Sequence, residues 1–483
     1  MASRLFMFLR LLRLLPLLLA LGVQADEAPL RFSQPGHAQG FDASQYPAHW
    51  RFRRLAEPVF GSRILVLEAG NPQAQTLLLV HGLGQNGFRD WLGQIEPLAA
   101  RYRVVALDLP GFGHSEPGRG RYSPTNFARL LAWLHTELNL APGPVVGHSM
   151  GGAVALRYAA THPEQVTQLV LVDAAGILER SSFLKTPTPL PRELDGAPRL
   201  LRRLAHQAKD LGDSLVELSG LGADPTAWLS AHDSVWRLLL QDQPNTNAAL
   251  ALMEDDFSAA AHQLARPATL IWGERDRVAP LRTGQALLAT LPQARLYTLP
   301  EAAHVPMADQ PQAFQQLLLQ ALEAPWPAVA PVEPAAGSLP DLHCHRQTGT
   351  VYRGAYRRVR IQACTGVQLE DLQAQELRVE DSLVSLARVR IQAPRGAALH
   401  SLRSVLTATA SQLSGEWAIR ADDSRLDLAG VQLQGEQTAV QVDGRSRLLL
   451  SISRLESPQY RGYAHGLYRF RQRSLDGLLA PAP

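Results

Sequence analysis

Short apolar runs, each bounded by Gly, Pro or Asp, recur along the first two thirds of the chain. They occupy 64–67, 76–80, 103–107, 144–146, 169–172, 268–272 and 295–299. Runs that are apolar without alternation are typical of strands buried on both faces of a sheet. The hydrophobic pattern therefore predicts a sheet whose two faces are both covered.

Stretches with helical periodicity lie between these runs, at 88–101, 124–138, 150–161, 281–291 and 312–322. Because strands and helices alternate, the pattern predicts an α/β fold with a parallel sheet and helices on both faces. The alternation stops over 177–265, where Leu, Arg and Ala dominate and several helices are expected. We interpret 61–323 as one α/β domain and this block as an insertion between two of its strands.

The chain changes character after this domain. Five prolines within 324–340 predict a stiff, extended linker, and apolar and polar positions then alternate over 341–483 as in β-strands. The sequence Val-Arg-Ile-Gln-Ala occurs at 359–363 and again at 389–393. Repetition in a strand-rich stretch is typical of a solenoid. A β-sandwich is the alternative, and the sequence leaves both open.

The N-terminus has the pattern of an export signal. Residues 1–25 combine three arginines, no acidic residue and an apolar run that ends in Val23-Gln24-Ala25, so Asp26 is the expected first mature residue. The alternative is an uncleaved anchor, but arginines interrupt the roughly 20 apolar residues that a membrane span needs. We expect a periplasmic or secreted protein, in which residues 26–60 form a polar, irregular extension before the α/β domain.

The net charge of the chain limits the kinds of binding partner that we expect. The formal charge of the chain is +3, and the arginines of residues 1–25 account for all of it. A mature chain without net charge gives no electrostatic reason to expect nucleic acid as a partner. Membrane or envelope association and the oligomeric state stay open.

Only two cysteines occur, Cys344 and Cys364. In an oxidising compartment a single pair favours a disulfide. Cys344 lies between His343 and His345, which suggests metal binding, but three adjacent residues rarely converge on one ion and no second cluster follows. We therefore expect a disulfide, no metal and no cofactor.

A candidate nucleophile follows the run at 144–146. The sequence Gly147-His148-Ser149-Met150-Gly151 matches the G-x-S-x-G elbow, in which a strand turns sharply into a helix and presents Ser at the tip. Glycines are needed on both sides because a Cβ would clash in so tight a turn. The helix N-terminus behind Ser149 offers free N–H groups to developing negative charge.

Three other loops complete the predicted chemistry. His81-Gly82-Leu83-Gly84 follows the run at 76–80, and the backbone amides of Leu83 and Met150 are the expected oxyanion hole. Asp276 follows the run at 268–272 and is the expected orienting acid, with Glu274 as the alternative. His304 follows the run at 295–299 and is the expected base. The other histidines, His81 and His148 included, have better structural than catalytic explanations.

These motifs resemble the α/β-hydrolase family over roughly residues 60–323, including the order Ser, Asp, His along the chain. The stretch from Leu107 to Ser115, Leu-Asp-Leu-Pro-Gly-Phe-Gly-His-Ser, supports the resemblance. In that family a helical cap covers the pocket, and 177–265 falls at its position. One departure is Ala303, where relatives usually carry Gly.

The resemblance implies a hydrolase but does not fix the bond. Serine at the elbow argues against relatives that use Asp there. Export argues against coenzyme A thioesters and intracellular ring-cleavage products, so carboxylic esters, including lipids, fit best. Thioester, amide and carbon–carbon hydrolysis remain alternatives. A different class of function is an envelope adhesion or binding protein that acts through residues 341–483.

Overall fold

The structure is a computed structural model that describes residues 41–178, 243–324 and 339–480 together with Trp236 and Leu240. The predicted export signal, most of the predicted cap and most of the predicted linker lie outside the described residues. Among the residues described, no helix is both long and apolar enough to cross a membrane.

An eight-stranded sheet forms the centre of the first domain. Its strands are β1 (Arg51–Ala56), β2 (Arg63–Ala69), β3 (Thr76–Val80), β4 (Arg103–Leu107), β5 (Gly143–His148), β6 (Val166–Val172), β7 (Ala268–Gly273) and β8 (Ala294–Leu299). They lie in the order β1-β2-β4-β3-β5-β6-β7-β8. All pairings are parallel except those of β2, which is antiparallel to both β1 and β4.

Helices cover both faces of this sheet. They are α1 (Leu92–Ala99), α2 (Pro124–Glu137), α3 (Met150–Thr161), α4 (Pro244–Met253), α5 (Ser258–His262), α6 (Leu281–Thr290), α7 (Pro306–Asp309) and α8 (Pro311–Glu323), with short 3-10 helices at Ala43–Gln45, Gly87–Trp91 and Pro163–Gln165. Successive residues of one strand enter different cores: Leu78 and Val80 pack with α2 and α3, whereas Leu77 and Leu79 pack with α1 and α8. This explains the uninterrupted apolar runs in the sequence.

Strand β1 corrects one expectation. Residues 26–60 were expected to be irregular, yet Arg51–Ala56 pairs antiparallel with β2 at the edge of the sheet. Its Arg-Phe-Arg-Arg-Leu-Ala sequence has no fully buried side chain. An edge strand of this kind has no hydrophobic periodicity to reveal it.

The C-terminal domain is all-β apart from one short helix. Its strands are β9 (Leu342–His345), β10 (Val351–Gln362), β11 (Thr365–Glu380), β12 (Leu383–Ala387), β13 (Arg390–Gln392), β14 (Ala397–Leu402), β15 (Val405–Thr409), β16 (Gln412–Asp422), β17 (Arg425–Ala429), β18 (Gln432–Glu456) and β19 (Arg461–Ser474), followed by α9 (Leu475–Leu479). All pairings are parallel except that of β18 with β19.

Each turn of this chain stacks on the preceding one, as in a solenoid. Along one corner the Oγ atoms of Ser382, Ser404, Ser424 and Ser446 accept N–H groups from residues 18 to 22 positions earlier. The residues before these corners, Asp381, Arg403 and Asp423, have φ between 45° and 47°. Because β11, β16 and β18 continue around corners, the pairings also close into a seven-stranded parallel barrel, β11-β12-β15-β17-β18-β16-β13.

The repeated pentapeptide is not the period of these coils. The first copy belongs to β10, where Ile361 pairs with Val379, whereas the second belongs to β13, where Ile391 pairs with Ala374 on a different face. The true period of about 20 residues is carried by small hydroxyl and left-handed residues at corners. These are weaker signals in a sequence than an exact pentapeptide.

The predicted disulfide between Cys344 and Cys364 is absent, and both are buried free thiols. Gln347 contacts both sulfur atoms: its Oε1 accepts from Cys344 Sγ at 3.6 Å, and its N–H donates to Cys364 Sγ at 3.5 Å. Burial, with a hydrogen bond between the two thiols, raises the pKa of Cys344 to about 11. Cys364 occupies the corner position that later coils fill with Ser.

The two domains share a buried interface. The guanidinium of Arg282, in the first turn of α6, binds both carboxylate oxygens of Asp427 at 2.9 Å and Thr409 Oγ1 at 2.7 Å. Ala429 and Ile452 of the C-terminal domain belong to the apolar core that α3 and α6 cover. The C-terminal domain therefore contributes directly to the core of the first one.

We expect Arg282→Ala to lower the free energy of unfolding by about 1–2 kcal/mol, because it removes a partly buried, bidentate ion pair. The matched control is Arg388→Ala, whose partner Asp371 has a side chain 53% exposed and whose loss should cost less than about 1 kcal/mol. Urea unfolding of the full chain measures both. Equal losses would contradict a stabilising role for the interdomain pair.

Candidate active site

Ser149 lies at the turn between β5 and α3. Its φ of 52° and ψ of −120° place it in a conformation that non-glycine residues rarely adopt. A Cβ at Gly147 would lie 2.2 Å from the carbonyl oxygen of Gly151, and one at Gly151 would lie 2.3 Å from that of Val80. The two glycines thus allow the tight crossing that presents the Ser149 hydroxyl at the carboxyl end of the sheet.

A chain of hydrogen bonds joins Ser149, His304 and Asp276. His304 Nε2 is 2.8 Å from Ser149 Oγ, and His304 Nδ1 is 2.7 Å from Asp276 Oδ2. With Nδ1–H donating to the carboxylate, Nε2 is left to accept the serine proton. The three residues predicted as nucleophile, base and acid therefore meet at one edge of the sheet.

The carboxylate of Asp276 is fixed by its own loop. Its Oδ1 accepts N–H groups from Val278 at 2.7 Å and Ala279 at 2.9 Å, and its side chain is fully buried. Glu274, the alternative acid, instead accepts from Thr298 Oγ1 at the surface. Position in the loop and burial both assign the orienting role to Asp276.

The loop at 81–84 packs against the nucleophile. A Cβ at Gly82 would lie 3.0 Å from Ser149 Cβ, closer than side chains usually pack, so the glycine favours this close approach. Met150 is the first residue of α3, and the amide of a first helical residue has no partner within its helix. The loop that carries Leu83 and the start of α3 therefore flank the Ser149 hydroxyl, as an oxyanion hole requires.

Comparison with known proteins agrees with this geometry. The model of the "Alpha/beta hydrolase family" matches residues 77–317. A pimeloyl-[acyl-carrier protein] methyl ester esterase from Chromobacterium violaceum is 33% identical over 259 residues, which are 52% of this chain and 95% of that protein. The chain belongs to the alpha/beta hydrolase family.

Two further relatives show how varied this family is. An uncharacterized hydrolase of Bacillus subtilis (strain 168) is 30% identical and matches 51% of this chain and 89% of its own length. A 2-hydroxy-6-oxononadienedioate/2-hydroxy-6-oxononatrienedioate hydrolase of Pseudomonas putida is 28% identical. The match covers 56% of this chain and 96% of that protein. The family model ends at residue 317, before the C-terminal domain begins.

The departure at Ala303 is explained by its backbone. Alpha/beta hydrolases usually carry Gly before the catalytic histidine, but Ala303 is not among the residues with positive φ. Its N–H donates to Asp309 Oδ2 at 2.8 Å, which ties the histidine loop to α7. Alanine therefore fits this loop without strain.

His148 positions the catalytic histidine through the backbone. Its Nε2 is 2.7 Å from the carbonyl oxygen of His304. Burial, and then the charge of His304, lower the pKa of His148 to about 4, so this side chain is neutral near pH 7 and acts as an N–H donor. His81 is also structural, because its Nε2 accepts the Leu109 N–H at 2.9 Å. In the described part of the chain no group of three or more His, Cys, Asp or Glu is arranged to hold a metal ion.

One residue of the site was missed in the sequence. Asn245, at the start of α4 in the predicted cap, accepts the Gly84 N–H on its Oδ1 at 2.9 Å. It thereby ties α4 to the loop at 81–84, which carries the predicted oxyanion donor Leu83. Asn is common at helix starts for several reasons, so the sequence alone gives no sign that Asn245 binds Gly84. Only the fold shows this contact.

We expect Asn245→Ala to slow phosphonylation of Ser149 by a fluorophosphonate by roughly one to two orders of magnitude, since a displaced oxyanion loop stabilises the transition state less well. Asn245→Asp keeps an acceptor for Gly84 and should lose less. Thr246→Ala, at the adjacent position of α4, is the matched control. Labelling rates that are the same in Asn245→Ala and the control would refute the role of Asn245.

Proposed function

We propose that the chain is an exported serine hydrolase that cleaves carboxylic esters through an acyl-enzyme intermediate. The observation that carries the proposal is the continuous hydrogen-bond chain from Ser149 Oγ through His304 to Asp276. Such a chain converts a hydroxyl of ordinary reactivity into a nucleophile.

Each residue has a defined step in this mechanism. As Ser149 Oγ attacks the carbonyl carbon, His304 Nε2 takes its proton, and Asp276 stabilises the imidazolium that forms. The amides of Leu83 and Met150 bind the oxyanion of the tetrahedral intermediate. His304 then protonates the leaving alcohol. In the second half-reaction it activates water against the acyl-enzyme, so that Ser149 is regenerated.

Two observations support esters as substrates. The relative from Chromobacterium violaceum is a methyl ester esterase by name. Large apolar side chains are exposed beside the catalytic loops: Val278 follows the acid and is 46% exposed, and Val305 follows the base and is 36% exposed. Apolar surface at these positions suits a substrate with an apolar acyl or alcohol group, a small ester or a lipid.

We expect hydrolysis of nitrophenyl esters from acetyl to palmitoyl, with the preferred chain length separating a short-chain esterase from a lipase. Ser149→Ala should lower kcat/KM by roughly 10⁴-fold or more, because the nucleophile and base act as a unit. Ser258→Ala removes another buried serine hydroxyl and should keep wild-type activity. If a folded wild type cleaves no ester, thioesters, amides and substrates like those of the Pseudomonas putida relative are next. Activity retained by Ser149→Ala would contradict the mechanism.

Export is the second part of the proposal, and it rests on residues 1–25. The full chain expressed in a bacterial host should be recovered from the periplasm or medium with Asp26 as its first residue, as measured by mass spectrometry of N-terminal peptides. Substituting acidic residues for the three arginines of the segment should reduce export. An intact N-terminus in the membrane fraction would instead support the anchor.

The C-terminal domain suggests the alternative function, adhesion or envelope binding. However, Ala429 and Ile452 of this domain lie in the hydrophobic core of the hydrolase domain. This packing favours a C-terminal domain that is an integral part of one enzyme over a binding module joined to it only by a linker. We propose no cofactor and no nucleic-acid partner for either domain.

A further inference from the structure

Asp173 is a fully buried acid that the mechanism above leaves without a role. It directly follows β6, and its side chain has no exposed surface. Its Oδ1 accepts the Gly273 N–H at 2.9 Å, whereas no donor among the described residues reaches its Oδ2. Its φ of 42° lies in the left-handed region, so the backbone holds the carboxyl group in place against a conformational preference.

The neighbour of this carboxyl group is the acid of the triad. Gly273 links the two buried acids: its N–H donates to Asp173 Oδ1 at 2.9 Å, and its carbonyl oxygen accepts the Asp276 N–H at 3.2 Å. Two carboxylates that share a buried site cannot both be ionised, so a proton must be held between them.

The N–H donors around each of the two carboxyl groups indicate which of them holds the proton. Asp276 already accepts three N–H groups, from Val278, Ala279 and His304, and N–H groups directed at a carboxyl group favour its ionised form. Asp173 accepts one N–H group and has an oxygen with no donor directed at it. The proton therefore belongs on Asp173. In agreement, burial, then the charge of Asp276, raises the pKa of Asp173 to about 10.

We propose that Asp173 is a positioning residue of the triad, a protonated acid whose Oδ2–H donates to the Asp276 carboxylate. This inference rests on the proposed serine mechanism for its effect on rate, but the protonation of Asp173 is independent of it. The bond adds a donor to those that already hold the Asp276 carboxylate and withdraws part of its negative charge. Asp173 thereby moderates how strongly Asp276 raises the basicity of His304.

Two other titratable groups lie close to this pair. Asp309, in α7, adds a further negative charge that favours the protonated form of Asp173. His148, which contacts His304, is neutral near pH 7 because burial lowers its pKa.

Two substitutions of Asp173 test whether its hydrogen bonds position the triad. Asp173→Asn keeps both contacts, since its oxygen can accept from Gly273 and its amide can donate to Asp276, and Asn tolerates positive φ. Asp173→Gly tolerates the same φ but removes both contacts. We expect the Asn variant to label with fluorophosphonate at the wild-type rate and with the same pH profile. We expect the Gly variant to label roughly 10- to 100-fold more slowly, with its acid limb moved to higher pH.

Thermal unfolding tests the protonation without any activity. A folded Asp173 that keeps its proton while the unfolded one releases it near pH 4 makes the wild type lose stability as pH rises from about 4 towards 10. Asn has no proton to lose, so the Tm of Asp173→Asn should rise relative to wild type over that window. The Gly variant, if it does not fold, leaves this comparison intact.

Three outcomes would overturn the inference. They are a Tm difference between Asp173→Asn and wild type that does not change with pH, an Asn variant as slow as the Gly variant, and a Gly variant whose acid limb stays in place. A wild type that the fluorophosphonate does not label would refute the serine mechanism instead, while the Tm comparison would still test the proton on Asp173.

Discussion

The hydrogen bond between Ser149 and His304 joins atoms of residues 155 positions apart, and it forms only if the whole sheet is in register. Ser149 leaves β5, Asp276 leaves β7 and His304 follows β8. Since parallel strands end at the same edge, their carboxyl ends bring these loops together. A shift of any one strand would separate the base from the nucleophile, so the sheet is the constraint on which the chemistry depends.

The same edge is stabilised from several directions. Asp173 is the proposed donor to the acid, His148 binds the backbone carbonyl of the base, and Asn245 binds the loop at 81–84. Arg282 connects α6, which begins just after the acid loop, to the C-terminal domain. Loops that carry chemistry need such support, because they have few backbone partners of their own. The C-terminal domain is therefore part of the framework of the site as well as a candidate binding module.

The sequence predicted best those strands that are buried on both faces of the sheet. Strands buried on both faces produce continuous apolar runs, and β3 and β4 begin and end where the pattern predicted. Edge strand β1 was missed because only Phe52 and Leu55 are half-buried and its other side chains are exposed, which leaves no hydrophobic periodicity. For the C-terminal domain the sequence left a solenoid and a β-sandwich open, and the repeat that suggested the solenoid is not the period of its coils. The true period is marked by the residues at the corners of the coils, such as Asp381 and Ser382. Asp173 and Asn245 act through partners distant in sequence, which no local pattern could reveal.

Covalent capture of the acyl-enzyme tests the central claim most directly. The full chain would be mixed with a nitrophenyl ester, quenched in acid within the first turnover and digested for mass spectrometry. The mechanism predicts an acyl group on the peptide that contains Ser149, formed in wild type, absent in Ser149→Ala and slow to form in His304→Ala. Turnover with no acylated peptide, or an acyl group on a different residue, would contradict it.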